Sequence, residues 1–151
     1  MKNFVLAALT ASALTVTSFA AFADSDGIII RQVGSFQSAK VNQSGFKDYA
    51  SLNQNGGNEY AVLNQTGSNN TLSVSEGKYG VLEPSTANSS VGATQNGSDN
   101  YGSIYTIGNT NSAKLNQNGI SDTASINQNT NYSTVSISQN GSKNYAAASQ
   151  K

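Results

Sequence analysis

A glutamine that recurs at intervals of eleven or twice eleven positions constrains the fold of this 151-residue chain more than any other feature. The repeated positions are Gln32, Gln43, Gln54, Gln65, Gln95, Gln117, Gln128, Gln139 and Gln150. Glu76 and Thr106 stand at two positions where the same register predicts glutamine. The spacing departs from the period once, between Glu76 and Gln95, by eight extra residues. The sequence therefore predicts a regular array of about eleven such units with one insertion.

The spacing inside each unit favours strands over helices. An aliphatic residue lies two positions before the glutamine, and a small residue usually lies four positions before it, as in Ala113-Lys-Leu115-Asn-Gln117. Residues two apart share one face of a strand but spread around a helix. A period of eleven also fits a right-handed coiled coil, but that alternative fails on this internal spacing. Glycine and asparagine in every unit would further cost a helix roughly 0.5–1 kcal/mol each.

Glycine follows the glutamine by two residues in most units, and we predict that these glycines belong to turns. The turn glycines are Gly34, Gly45, Gly56, Gly67, Gly97, Gly108, Gly119 and Gly141. Because eleven is odd, a continuous strand would swap its faces at each repeat, so the chain must turn once per unit. Two successive units then make one rung. The predicted fold is all-β: a β-solenoid of about eleven strand-turn units stacked as two parallel sheets, and amyloid-forming.

The inward side of one unit is predicted to carry Asn111, Ala113, Leu115 and Gln117. With rungs stacked at roughly 4.8 Å, each glutamine lies above its counterpart, and a ladder of amides satisfies both donor and acceptor away from water. We assign to this polymerisation ladder the nine repeated glutamines together with Asn100, Asn111 and Asn144. The alternative is that these glutamines face solvent. The uncapped sheet edges expected at both ends would template another copy of the chain.

The first segment reads as a secretory signal peptide, with Lys2 before an apolar run and Ala21-Phe22-Ala23 as a cleavage site. A membrane anchor is the alternative, but the run is short and diluted by threonine and serine. The predicted organisation is a signal peptide at 1–23, a short N-terminal segment at 24–27, repeats at 28–76, an inserted loop at 77–88 and repeats at 89–151.

Composition excludes several classes of function. The chain has no Cys and no His, and 8 basic residues balance 8 acidic ones. Disulfides, zinc sites and thiol or imidazole chemistry are therefore excluded. The chain also lacks the excess of positive charge that is typical of nucleic-acid binding proteins. The acids are scattered rather than paired, so we expect neither an enzyme nor a cofactor. A calcium-binding repeat is disfavoured because its Gly-Gly-x-Gly-x-Asp motif is missing.

Charged residues near the turns are candidates for slowing assembly during export. They are Lys40, Lys47, Asp48, Asp99, Asp122 and Lys143. The alternative is that all of them are ordinary solvated turn residues.

The units resemble a known repeat. Residues 111–119 fit the curlin pattern Asn-x-Ala-x-x-x-Gln-x-Gly, as do 144–150 and, with Asp for Asn, 48–56 and 122–128. The resemblance implies a subunit of the bacterial curli amyloid fibre. Such a subunit is secreted through the periplasm to the cell surface, has no membrane span, and serves adhesion and biofilm matrix. The implied partners are copies of itself, a companion curli subunit and the outer-membrane export machinery.

The resemblance also implies which residues drive assembly, namely those at the ends of the repeats: Gln43, Gln54, Gln139, Gln150 and Asn144. A regular, neutral last unit favours the major fibre subunit over the minor nucleator. The nucleator remains the alternative within the family. A monomeric surface- or ice-binding β-solenoid is the alternative from another class.

Overall fold

The computed structural model describes residues 4–11, 14–16, 26–77 and 88–151, and all regular structure in these ranges is β-strand. The strands are β1 (Phe4–Ala11), β2 (Leu14–Val16), β3 (Gly27–Ser35), β4 (Gln37–Phe46), β5 (Tyr49–Gly57), β6 (Tyr60–Ser68), β7 (Thr71–Gly77), β8 (Ser90–Ser98), β9 (Tyr101–Ile107), β10 (Ser112–Ile120), β11 (Thr123–Asn129), β12 (Thr134–Ser142) and β13 (Tyr145–Gln150).

Successive strands alternate between two parallel sheets. One sheet has the order β1-β3-β5-β7-β9-β11-β13 and the other has β12-β10-β8-β6-β4-β2. Each repeat strand pairs in register with the strand two units further along the chain, so that Gln32 lies beside Gln54. Across the insertion the offset grows by the extra residues, and Gln65 still pairs with Gln95. The predicted all-β solenoid of two parallel sheets is confirmed, with eleven strands between Gly27 and Gln150.

The core is a narrow layer of aliphatic side chains between the two sheets. Alternation along each strand buries one face, as in β10, where Ala113 and Leu115 are buried and Lys114 is exposed. Large and small residues compensate each other within the core. A Cβ at Gly102 would lie 2.7 Å from Cδ2 of Leu115 and 2.9 Å from Cδ1 of Leu72, so these two leucines fill the space beside the glycine.

Each described turn has a residue with left-handed backbone at a fixed place in the repeat. The non-glycine residues with left-handed backbone lie four positions after the ladder position, between the predicted glycine and the buried polar residue. They are Phe36, Lys47, Asn58, Asn69, Asp99, Thr110, Ser121, Tyr132 and Lys143. Of the eight predicted turn glycines, six have positive φ: Gly34, Gly45, Gly67, Gly97, Gly108 and Gly141. Gly56 and Gly119 do not, and these two lie within strands, as do all of the six except Gly108.

Two predicted segments fall partly outside the described residues. Strands β1 and β2 belong to the predicted signal peptide, and they pair with β3 and β4 respectively. The predicted cleavage site at 21–23 lies outside the described residues. Residues 78–87 of the inserted loop also lie outside them. Within the described ranges, no helix of sufficient length and hydropathy to span a membrane occurs.

Candidate functional site: the buried amide ladders

Two columns of polar side chains run through the interior, one along each sheet. In the sheet that ends with β13 the column is Gln32, Gln54, Glu76, Thr106, Gln128 and Gln150. In the other sheet it is Gln43, Gln65, Gln95, Gln117 and Gln139. Each residue is buried except Gln150, which is half-buried on the terminal strand. The repeat therefore places its nine glutamines inside the solenoid.

The amides of Gln43, Gln65, Gln95 and Gln117 each bond in two directions. In the sheet that contains β4, Nε2 donates to the Oε1 of the glutamine one rung on, over 2.7 Å from Gln43 to Gln65 and 2.8 Å from Gln95 to Gln117. The second hydrogen of the amide goes to a backbone carbonyl in the opposite sheet. Gln65 donates in this way to the oxygen of Tyr49 over 3.0 Å. One amide thus ties two rungs and two sheets together.

The ladders have a direction, and this makes their two ends different. The ladder amides donate toward the C-terminal rungs, so the first glutamines, Gln32 and Gln43, have buried Oε1 atoms without a hydrogen-bond partner in the described structure. At the other end, the Oε1 atoms of Gln139 and Gln150 accept from the rung before them. Their amide groups have no further described rung to donate to. One end offers acceptors and the other offers donors.

A second pair of columns lies in the arcs, the short segments that connect a strand of one sheet to the next strand in the other sheet. One is Asp26, Asp48, Asn70, Asn100, Asp122 and Asn144, in which each Oδ1 accepts the backbone N–H of the next member. The other is Gln37, Glu59, Ser89, Asn111 and Ser133. Where the residue is asparagine, Nδ2 can also donate to two backbone carbonyls, as from Asn111 to Ile107 over 3.0 Å and Thr130 over 2.8 Å.

Asn100, Asn111 and Asn144, assigned to the ladder from sequence, lie in these arc columns, which also contain Gln37 and Glu59, two residues that were not predicted from sequence. A signal was present, because both lie five residues after a ladder position that holds glutamine, as Asn100 does. The fifth residue after each ladder position is therefore an interior position of the arc.

These columns coincide with a known repeat. Residues 48–75 match the family model of the curlin associated repeat. This segment carries the curlin repeat. No curated protein and no solved structure matches the chain significantly. The matched range covers β5, β6 and most of β7.

The charged residues near the turns differ in how deeply they are buried. Lys40, Lys47, Asp99 and Lys143 lie outside the core, whereas Asp48 and Asp122 are buried at asparagine positions of the arc column. This burial differs from the solvated placement considered from sequence. The Oδ2 atom of each aspartate has no hydrogen-bond partner, because a carboxylate cannot make the donation that Asn100 makes to the carbonyl of Gly119. Burial raises the pKa of Asp48, although bonds from Asn70 oppose the shift.

Replacing Asp48 by asparagine is expected to stabilise the solenoid by about 1–3 kcal/mol, because the new Nδ2 can donate where Oδ2 is left without a partner. The measurement is the denaturant midpoint of the assembled protein, followed by circular dichroism. Asp99→Asn is the matched control: Asp99 lies at the surface, and this change should shift stability by less than about 0.5 kcal/mol. Equal midpoints for the two variants would contradict the assignment.

Two further acids interrupt the columns of the curlin repeats. Glu59 accepts from Nε2 of Gln37 over 2.9 Å, and Glu76 accepts from Nε2 of Gln54 over 3.2 Å. Burial raises the pKa of both carboxyls to about 8, and Glu59 raises that of Glu76 further by repulsion. The bonds from the two glutamines act against these shifts and are too weak to cancel them.

Proposed function

We propose that this chain is a secreted structural subunit that polymerises head to tail into an extracellular amyloid fibre of the curli type. The observation that carries the proposal is the direction of the amide ladders. Oε1 atoms without partners on Gln32 and Gln43 face one way, and the amide donors of Gln139 and Gln150 face the other. A second copy stacked in the same orientation supplies each end with its missing partner.

The terminal strands support the same conclusion. β12 and β13 each pair with a strand on one side only within the described residues. Ala146, Ala148 and Gln150 continue the interior columns on β13, but they are only half-buried because no described rung covers them. Stacking another rung would bury these side chains and pair the free backbone groups. A contact between unlike ends does not close on itself, so it extends into a filament.

At the N-terminal edge, removal of the predicted signal peptide 1–23 would take away β1 and β2, which pair there with β3 and β4. Export would in this way expose the accepting edge. The curlin repeats and the solenoid point to a structural role rather than an enzymatic one. By the same resemblance we propose passage through the outer membrane, interaction with a companion curli subunit, and service in surface adhesion and biofilm matrix.

The proposal is tested with the mature chain, beginning at Asp24, purified in denaturant and then diluted. Dye-binding fibres are expected to appear after a lag, with a diffraction spacing of roughly 4.8 Å along the fibre. Fragments of finished fibres should remove the lag, because each fragment presents both kinds of end. A chain that stays monomeric at high concentration despite added fragments would overturn the proposal.

A further inference from the structure

Four buried polar atoms without partners in the described structure lie on three successive rungs: one precedes β6, one precedes β8, and two lie on β7 and β9. They are Oε1 of Glu59, Oε1 of Glu76, Oγ of Ser89 and Oγ1 of Thr106. Each glutamate is followed by a hydroxyl residue one rung further on in its column: Glu59 by Ser89, and Glu76 by Thr106. The four residues are at most 2% exposed, so water does not satisfy these atoms from outside.

Glu76 and Ser89 also occupy neighbouring positions within one rung. Two rungs further on the same positions are held by Gln128 and Ser133, whose Nε2 and Oγ atoms are 3.0 Å apart. The two glutamates and two hydroxyls thus form one contiguous cluster that spans three rungs.

Glu59 and Glu76 are each 1% exposed, and a carboxylate that is removed from water without a positive partner is costly, so burial favours its neutral form. We infer that Glu59 and Glu76 are held in the folded solenoid as neutral carboxylic acids, and that this pair makes folding of the solenoid a proton-controlled step. Control of fibre growth by protons follows from this and rests on the proposed function.

No opposite charge in the described part of the chain compensates these acids. The side chains that share their columns or adjoin them in the arc are Gln32, Gln37, Gln54, Ser89, Thr106 and Asn111. None of these ionises, and within the described ranges the titratable group that acts on Glu76 is Glu59. The described basic residues Arg31, Lys40, Lys47, Lys114, Lys143 and Lys151 are all exposed. Within the described residues, protonation is therefore what neutralises these two carboxyls.

The sign of the pH dependence follows from linkage. Both groups have a folded pKa of about 8 against an ordinary 4.5. Below the ordinary value both states are protonated and stability is fully present. As pH rises from there through the folded pKa, the unfolded chain releases its protons first and the solenoid loses stability. The contribution of this pair is thus largest at acid pH, falls as pH rises from about 4.5 to about 8, and falls no further above that.

The test compares the mature wild-type chain with E59Q/E76Q between pH about 5 and about 9. At position 76 glutamine is the usual residue of the repeat, and at position 59 the preceding member of the column is Gln37. Glutamine therefore fits both sites. Seeded growth of the wild type should fall by about tenfold or more across this range, and that of the variant by less than about threefold. Some dependence remains in the variant because the pKa of Asp48 is also raised. Asp99→Asn, at a surface acid, is the control and should follow the wild type.

Two readouts separate this inference from the proposed function. Infrared difference spectra at neutral pH should show a protonated carboxyl band in folded wild type that E59Q/E76Q lacks, and the single variants should each lose part of it. Circular dichroism follows folding whether or not fibres form. A chain that folds without fibres and keeps the pH dependence and the band would overturn the proposed function only. Fibres that grow equally well throughout this range, without the band, would overturn the proton-controlled pair.

Discussion

Replacing Gly97 by alanine is expected to prevent the solenoid from forming. Gly97 has φ of +123°, a region that L-residues rarely adopt, and its added Cβ would lie 1.9 Å from the carbonyl oxygen of Gly119. That oxygen is backbone in the adjacent strand β10, which cannot move aside without breaking the ladder beside it. The cost should exceed about 3 kcal/mol, since strain and overlap add.

Gly92→Ala is the matched control for this change. Gly92 lies on the same strand, before Gly97, and nothing stands within 4 Å of its Cβ position. This change should leave stability the same or raise it by about 0.4–1 kcal/mol, because alanine restricts the unfolded chain. The measurement is β-structure by circular dichroism together with the yield of sedimentable fibre. Similar yields from both variants would show that the close approach of Gly97 to β10 is not required.

Replacing Gln139 and Gln150 together by alanine is expected to slow fibre growth by about tenfold to a hundredfold. The change removes both donors from one end of the ladders, and each lost hydrogen bond costs on the order of 1 kcal/mol. The end that carries Gln32 and Gln43 is unaltered, so the variant can still dock on a wild-type fibre through that end. Docked there, it should block further addition, and a small admixture should inhibit wild-type growth measured by dye fluorescence.

Ser138→Ala with Ser149→Ala provides the control, because these residues precede the two glutamines on the same strands and face outward. This variant should grow at the wild-type rate and should not inhibit. Equal fibre growth rates for the glutamine and serine variants would show that the ladder does not contribute to elongation.

The fold could be predicted from the sequence because the repeat carries two independent periods. Spacing by two within a unit assigns Ala113, Leu115 and Gln117 to one face of a strand, and the odd length of the unit demands a turn. The period across units then sets which strands are neighbours. The eight extra residues before Gln95 did not disturb this, since an insertion in an arc leaves the pairing of Gln65 with Gln95 in register.

The arcs were less predictable. The sequence predicted a turn over the stretch from the glycine to the polar residue five after the ladder position, such as 119–122, but not which residue in it is left-handed. The structure places left-handed backbone at the residue between them, where side chains as different as Phe36, Lys47 and Asp99 occur. These side chains lie outside the core, so composition carries little signal there. Glu59 was missed for a related reason: a lone acid in a polar sequence looks solvated until the topology places it beneath Ser89.

By itself, the sequence determined the strand register, the inward face and the identity of the stacked side chains, because these depend only on spacing along the chain. Only the tertiary structure decided that the amide ladders share one direction, that Gln32 and Gln43 are left with acceptors while Gln139 and Gln150 have donors, and that two acids are enclosed with two hydroxyls. Those properties depend on which atoms of distant rungs come within hydrogen-bonding distance and on how completely water is excluded around them.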